Sequence, residues 1–168
     1  MYFTVNTFGM KWESFELLFI LDTGGDEMTR IRQTNTGATP FERLLGYNPR
    51  MMQQWSALGE TITGDGKLSA ELKEQVRRTL AQQNGCAYCQ AKGKPAVHSF
   101  DERTALAVGF AEVFLQMKGE TPASAIDVLH ETFSDAEISE LCACIAFLTA
   151  SQYVGAMLGL EAENPLTS

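Results

Sequence analysis

Helix-start signals recur along this chain of 168 residues, and they constrain its fold more than any other feature. Three prolines directly follow a residue with a capping side chain, in the pairs Thr39-Pro40, Asn48-Pro49 and Thr121-Pro122. Threonine and asparagine oxygens accept hydrogen bonds from the free N–H groups of a helix N-terminus, and proline suits the first helical position because its missing N–H would have no partner there. Each pair therefore predicts the start of a helix with proline at its first position.

A further signal marks the start of the last long helix. Ser134 is followed three residues later by Glu137, the spacing of a capping box, and Thr39 and Glu42 have the same spacing. In the middle of this last helix, residues 141–148 are apolar on every face. A small domain rarely encloses a helix completely, so this segment predicts an oligomer.

Helical patterns cover most of the chain and predict an all-α fold of about seven or eight helices. We expect an N-terminal extension over residues 1–36, with a helix from Trp12 to Leu21, followed by one helical domain over residues 37–168. The glycines show neither the GxxxxGK[ST] nor the GxGxxG spacing, so nucleotide binding has no support. The predicted helices of the domain cover residues 40–46, 49–62, 70–84, 87–92, 102–118, 122–132 and 135–158.

The amino-acid composition restricts the class of protein, its partners and its cellular location. A hydrophobic content of 45% suits one compact core, and a net charge of -8 repels nucleic acid and anionic lipid. The first ten residues lack the features of a signal peptide, and no run of 18 apolar residues occurs. We therefore expect a cytoplasmic protein with neither a nucleic-acid nor a membrane partner.

Two cysteines carry the strongest chemical signal. Cys86-Ala-Tyr-Cys89 follows Asn84-Gly85 at a predicted helix start, and thiols at positions i and i+3 share a helix face, so that they can form a disulfide. Structural disulfides are rare in reducing compartments such as the cytoplasm. Two neighbouring cysteines in a cytoplasmic protein therefore indicate catalysis, redox sensing or metal binding. Cys142 and Cys144 point to nearly opposite sides of their helix and are predicted to be core or interface residues.

A reactive thiol needs neighbours that favour the thiolate. The N-terminus of the helix after Gly85 would lower the pKa of Cys86. The candidate proton acceptors are Glu74 and His98, although Glu74 has the spacing of a simple ion pair with Arg78. Two alternatives stay open: the thiols are inert in a packed helix, or they bind zinc with His98.

These residues resemble a known family. Glu74, eleven residues, and then Cys86-Ala-Tyr-Cys89 are similar to the E-x11-C-x-x-C core of the alkylhydroperoxidase D-like (AhpD-like) branch of the carboxymuconolactone decarboxylase family. The resemblance covers residues 38–162 and implies an AhpD-like helical fold, assembled as a trimer or a multiple of it such as a hexamer. It implies no cofactor.

The resemblance also implies a mechanism. One cysteine attacks a peroxide to give a sulfenic acid, the other closes a disulfide, a thiol or dithiol donor reduces it, and Glu74 belongs to a proton relay. Family members use the second cysteine for the attack, which is Cys89, whereas the helix-dipole argument favours Cys86. The chain departs from the peroxidases at Gly93, where they carry a histidine. His98 would replace that histidine only if its loop folds back.

The sequence thus predicts a thiol-dependent oxidoreductase that uses Cys86 and Cys89 to reduce peroxides or exchange disulfides. One alternative is the decarboxylase branch of the family, which acts on a lactone acid without redox cysteines. Arg77, Arg78 and Arg103 would then bind substrate carboxylates. The other alternative is a non-enzymatic helical oligomer, with or without a stabilising zinc ion.

Overall fold

The computed structural model describes residues 29–118 and 120–162, so the helix predicted from Trp12 to Leu21 lies outside the described residues. Within them the protein is all-helical, without a strand, which confirms the predicted fold class. The predicted ranges agree with the observed ones to within about two residues at each end. The elements are α1 (Pro40–Leu45), α2 (Pro49–Thr63), α3 (Ala70–Gln83), α4 (Ala87–Ala91), a 3-10 helix (Val97–Ser99), α5 (Glu102–Gln116), α6 (Ala123–His130) and α7 (Asp135–Met157).

Side-chain caps explain why the first two helices begin where they do. Thr39 Oγ1 accepts from the Glu42 N–H at 3.1 Å, and Glu42 accepts from the Thr39 N–H at 3.0 Å, which completes the predicted capping box. Asn48 Oδ1 accepts from the Met51 N–H at 3.1 Å at the start of α2. The prolines after both caps occupy the first turn, so these two predicted helix starts are confirmed.

The third predicted start is wrong by one residue. Pro122 has an extended backbone with a ψ of 147°, so it is the capping residue itself and α6 begins at Ala123. Proline has no side-chain acceptor, and α6 accordingly has no side-chain cap. The local pair of threonine and proline therefore located this helix but not its first residue.

Helix α3 forms the centre of the domain, because it packs against α5 on one side and α7 on the other. Its apolar stripe, Leu72, Val76 and Leu80, is almost completely buried. Burial of such side chains is the main stabilising term of a helical domain. The other large members of the same core are Leu68, Val108, Phe110, Leu129, Phe133, Ile138, Leu141, Ile145 and Leu148.

Helix α7 is long and apolar enough to cross a bilayer by length and composition, but it packs against α2, α3, α4 and α6 as a core helix does. Leu141, Cys144 and Ile145 face the core, whereas Ala143 and Ala146 on the opposite side are exposed. One chain therefore does not enclose this helix completely, and the oligomer inferred from its apolar middle stays a prediction.

A buried ion pair ties the loop before α3 to α7. Lys73 has a side chain only 1% exposed, and its Nζ lies 2.5 Å from Glu140 Oε1 and 2.7 Å from the Gly64 carbonyl oxygen. Glu140 also accepts from the N–H groups of Lys67 and Leu68, at 2.8 and 3.3 Å. One carboxylate thus neutralises a buried cation and orders the loop at the same time.

The described part of the predicted N-terminal extension lies against the helical domain. The Arg30 N–H donates to the Leu158 carbonyl oxygen at 2.8 Å, and Thr34 Oγ1 donates to the Arg43 carbonyl oxygen at 2.9 Å. The boundary between residues 36 and 37 stays a prediction.

Candidate active site

The two cysteines of the CxxC motif form a disulfide at the N-terminus of α4, with their Cα atoms 5.2 Å apart. As expected, Asn84 caps the C-terminus of α3, Gly85 turns the chain with a φ of +74°, and Cys86 is the N-terminal capping residue of α4. Glycine suits this turn because it adopts positive φ without steric cost. The Cys86 sulfur accepts from the Cys89 N–H at 3.2 Å, which is the type of contact that stabilises a thiolate at a helix N-terminus.

The two sulfurs have different surroundings. Cys86 is completely buried, whereas Cys89 is partly exposed and lines a cavity of about 390 Å³. Cavities of roughly 300–1,000 Å³ are typical of small-molecule sites. A substrate in this cavity meets Cys89 first.

The cavity has aromatic walls. Phe41, Trp55, Tyr88 and Phe147 come from α1, α2, α4 and α7, respectively. The rings of Trp55 and Phe147 lie 5.4 Å apart at a tilted angle, and Trp55 Nε1 donates to Ser151 Oγ at 3.1 Å. These contacts hold the indole in place, so the apolar wall is largely preformed.

Four charged side chains also line the cavity: Arg77, Lys92, Glu42 and Glu60. The Lys92 ammonium lies 4.4 Å from the centre of the Tyr88 ring, a cation–π contact. Glu42 accepts from Ser56 Oγ at 2.8 Å, and this hydrogen bond, with those at its capping box, lowers its pKa. Both cations are close to Cys89 in the chain or in space. Lys92 follows Cys89 by three positions, and Arg77 Nη1 donates to the Cys89 carbonyl oxygen at 3.2 Å.

Glu74 binds two arginines and does not itself line the cavity. Its carboxylate accepts from Arg77 Nε and Nη2 at 2.6 and 2.8 Å and from Arg78 Nε at 2.7 Å. Burial raises the pKa of Glu74, but the hydrogen bonds and charges of the two arginines outweigh it, and the pKa lies below its ordinary value. Glu74 is therefore better suited to hold Arg77 in place than to accept a proton. It also makes the ion pair with Arg78 that the spacing of the two residues predicts.

His98 is exposed on the 3-10 helix and is not among the residues that line the cavity. The loop that carries it is bound to α3, because the Ala96 N–H donates to Gln75 Oε1 at 2.9 Å and Arg78 Nη1 donates to the Lys94 carbonyl oxygen at 3.3 Å. Of the four predicted site residues, the two cysteines are bonded to each other. Glu74 is connected to Cys89 only indirectly, through hydrogen bonds of Arg77, and His98 lies away from the cavity.

Gly93 has a structural reason to be glycine. Its φ is +116°, a conformation that residues with a side chain rarely adopt, and an added Cβ would lie 3.6 Å from the Arg78 guanidinium carbon. A histidine at this position would therefore need a different backbone turn.

Three residues of the site were not predicted for it from the sequence. Gln152 and Gly155 of α7 lie beside the cysteines, and Arg77 was considered only as a ligand for a substrate carboxylate. Gln152 is buried, accepts from Asn84 Nδ2 at 2.8 Å and donates to the Arg77 carbonyl oxygen at 3.1 Å. A glycine in the last turn of α7 was the one local signal available for this position.

Across residues 29–118 and 120–162, no three side chains among histidine, cysteine, aspartate and glutamate are close enough to share a metal ion. The zinc hypothesis would need Cys86, Cys89 and His98 together. In the structure the two sulfurs are bonded to each other.

No protein-family model matches the sequence, and no curated protein matches it either. Among solved structures, the chain is similar to an uncharacterized peroxidase-related protein from Ralstonia eutropha JMP134, an alkylhydroperoxidase AhpD core. The TM-score is 0.65 and the identity 17%, over 83% of this chain and 95% of that one. It is also similar to an uncharacterized peroxidase-related protein from Silicibacter sp. TM1040, with a TM-score of 0.60 and 19% identity over 69% of this chain and 72% of that one. At these identities the similarity shows an AhpD-like fold.

Proposed function

We propose that this chain, which has an AhpD-like fold, is a thiol-dependent oxidoreductase that cycles Cys86 and Cys89 between dithiol and disulfide. The observation that carries the proposal is the unequal placement of the two sulfurs. Cys89 faces a preformed cavity, and Cys86 lies buried behind it within bonding distance. This arrangement suits one cysteine that meets the substrate and one that resolves the product.

In the peroxide reaction, the Cys89 thiolate attacks one peroxide oxygen, so that a sulfur–oxygen bond forms and the oxygen–oxygen bond breaks. The departing alkoxide or hydroxide takes a proton and leaves as alcohol or water, and Cys89 becomes a sulfenic acid. The Cys86 thiolate then attacks the Cys89 sulfur and displaces hydroxide, which leaves as water. A thiol or dithiol donor returns two electrons and two protons and restores both thiols.

The charges near Cys89 support its role as the attacking cysteine. The cavity is lined by two cations and two carboxylates. The cations are the ones linked to Cys89, because Arg77 donates to its carbonyl oxygen and Lys92 follows it by three positions, and a nearby cation favours the thiolate. Cys86 has no such access, since it is fully buried. The N-terminus of α4 still favours a thiolate at Cys86, and this thiolate matters in a different step.

That step is disulfide exchange. A donor thiolate would attack the accessible Cys89 sulfur and release Cys86 as a thiolate. The Cys89 N–H that already binds the Cys86 sulfur would stabilise this leaving group. The geometry therefore suits exchange with a protein or small-molecule disulfide as well as peroxide reduction. Gly93 in place of the family's histidine makes exchange the stronger candidate for the main activity.

The proposed reaction is tested by counting thiols. The chain has four cysteines, so the reduced, unfolded protein should titrate four thiols, and a stoichiometric amount of hydrogen peroxide or an alkyl hydroperoxide should leave two. A dithiol should restore four. An unchanged count after peroxide would contradict the proposal, and full activity on a lactone acid after both motif cysteines are replaced by serine would favour the decarboxylase alternative.

The role of Glu74 gives a separate prediction. If Glu74 holds Arg77 in place, Glu74→Gln should keep at least about a tenth of the rate of peroxide-dependent thiol loss, because the amide oxygen still accepts from arginine. A general base contributes roughly 100-fold or more, so a loss of that size in a folded variant would instead identify Glu74 as the proton acceptor. Glu71→Gln, at an exposed position on the same helix, is the matched control and should react at the wild-type rate.

We also propose a cytoplasmic homo-oligomer, a trimer or a multiple of it, with the exposed side of α7 at the subunit contact. Ala143, Ala146, Tyr153 and Met157 form an exposed apolar surface on this side, and water contact with such a surface is unfavourable. Light scattering should give the mass of three or more chains, and Ala146→Arg should lower it. A monodisperse monomer would contradict this proposal without affecting the thiol chemistry.

A further inference from the structure

Gly155 of α7 lies directly against the disulfide. A Cβ atom built on Gly155 would be 2.7 Å from the Cys86 sulfur, 3.6 Å from the Cys86 Cβ and 3.8 Å from the Cys89 sulfur. Real Cβ atoms essentially never come within 3.0 Å of a heavy atom in a residue that is not their chain neighbour. The Cys86 sulfur therefore occupies space that any other residue at position 155 would fill.

The backbone does not explain this glycine. Gly155 lies inside α7 and is buried, and its φ is not among the positive values found at Gly37, Gly85, Gly93 and Gly159. Glycine weakens the interior of a helix relative to alanine. What the position gains from glycine is room for the sulfur.

The surrounding hydrogen bonds keep α7 and α4 from moving apart. The Leu160 N–H donates to the Gly155 carbonyl oxygen at 2.8 Å, and the Tyr88 N–H of α4 donates to the Leu160 carbonyl oxygen at 3.2 Å. One turn before Gly155, Gln152 is bonded to Asn84 at the end of α3. A methyl group at position 155 would thus press on the sulfur between elements that are tied together.

We propose that Gly155 is a positioning residue that sets the redox equilibrium of the dithiol, by leaving room for the Cys86 sulfur in the disulfide. The proposal rests on the proposed redox function. In the disulfide the Cys86 sulfur is fixed by its bond to Cys89. In the dithiol no bond to Cys89 fixes this sulfur, so it has more freedom to shift away from an added methyl group, and the Cys86 Cβ makes only an ordinary contact at 3.6 Å. The methyl group therefore disfavours the disulfide more than the dithiol.

The test is the equilibrium of Gly155→Ala with dithiothreitol. The protein disulfide takes two electrons and two protons from dithiothreitol, whose two thiols become a cyclic disulfide, and the fraction of reduced protein is read by alkylation and mass spectrometry. We expect the equilibrium to shift toward the dithiol by about tenfold or more, which corresponds to ~30 mV for a two-electron couple. Gly109→Ala is the matched control, because a Cβ there meets nothing within 4 Å, and it should leave the equilibrium unchanged.

An unchanged equilibrium in Gly155→Ala, or a shift toward the disulfide, would overturn the inference while wild-type cycling still supports the redox function. A wild-type chain that never forms the disulfide, even in excess oxidised dithiothreitol, would instead overturn both.

If Gly155→Ala folds poorly, thermal unfolding of the oxidised and of the reduced protein gives a second test. The added methyl group should lower the melting temperature of the oxidised protein more than that of the reduced protein, because the Cys86 sulfur is fixed against it only in the disulfide. A loss of the same size in both states would contradict the proposal.

Discussion

Cys89→Ser is expected to lower the rate of peroxide-dependent thiol loss by at least about 1,000-fold, because removing a nucleophile removes the covalent step it performs. Cys89 is the motif sulfur that lines the cavity, and the buried Cys86 lies behind it. The measurement is the rate of thiol loss under pseudo-first-order peroxide, in protein that is first reduced and freed of reductant.

Two companion variants make the result specific. Cys86→Ser should still react, but it should lose one thiol per chain and accumulate a Cys89 sulfenic acid that dimedone traps. Cys142→Ser removes an exposed thiol that lies outside the cavity, and it should lose two thiols at the wild-type rate. If Cys89→Ser reacts normally and Cys86→Ser does not, the proposed order of the two cysteines is wrong.

Glu140→Ala should be the most destabilising of the substitutions considered, by about 3 kcal/mol in the free energy of unfolding at pH 7. The variant leaves the Lys73 ammonium, only 1% exposed, without its counter-charge. It also removes the acceptor of the Lys67 and Leu68 N–H groups. Urea unfolding followed by circular dichroism measures the loss.

The pH dependence of this loss follows from the pKa of Glu140. Burial raises that pKa, but the hydrogen bonds from Lys73 and the two loop N–H groups outweigh it and lower it from 4.5. Because the folded pKa is the lower one, the stabilisation is present above about pH 4.5 and is lost as the pH falls through the folded value. The difference between wild type and Glu140→Ala should therefore shrink in acid.

A second substitution separates charge from hydrogen bonding. In Glu140→Ala combined with Lys73→Met, no buried charge remains, so most of the lost stability should return. If the double variant is as unstable as Glu140→Ala alone, the lost bonds to the loop account for the effect and the buried charge does not.

The helices could be predicted from the sequence because their signals are local. A capping box such as Thr39 with Glu42 lies within four residues of the chain and sets its own geometry. Pro122 shows the limit of this reasoning, since the same pair of residue types leaves proline either inside the first turn or just before it. The predicted AhpD-like fold is confirmed by the solved structures as well as by the helix order.

The site was predictable only where it is local in sequence. Cys86 and Cys89 are three residues apart and needed no tertiary information to be paired. Gln152 and Gly155 reach them from α7, more than 60 residues away along the chain, through helix packing that no short pattern encodes. Arg77 was visible beside Glu74, but its contact with the Cys89 carbonyl depends on how α3 meets α4.

The left-handed turn at Gly93 limits how this site can be changed by single substitutions. A single substitution could place a histidine there, but the backbone would keep a φ of +116°, which favours glycine. The Arg78 guanidinium already lies next to that turn. Gly93→His alone would therefore strain this turn, and we expect a histidine here to need further changes in the loop that carries it.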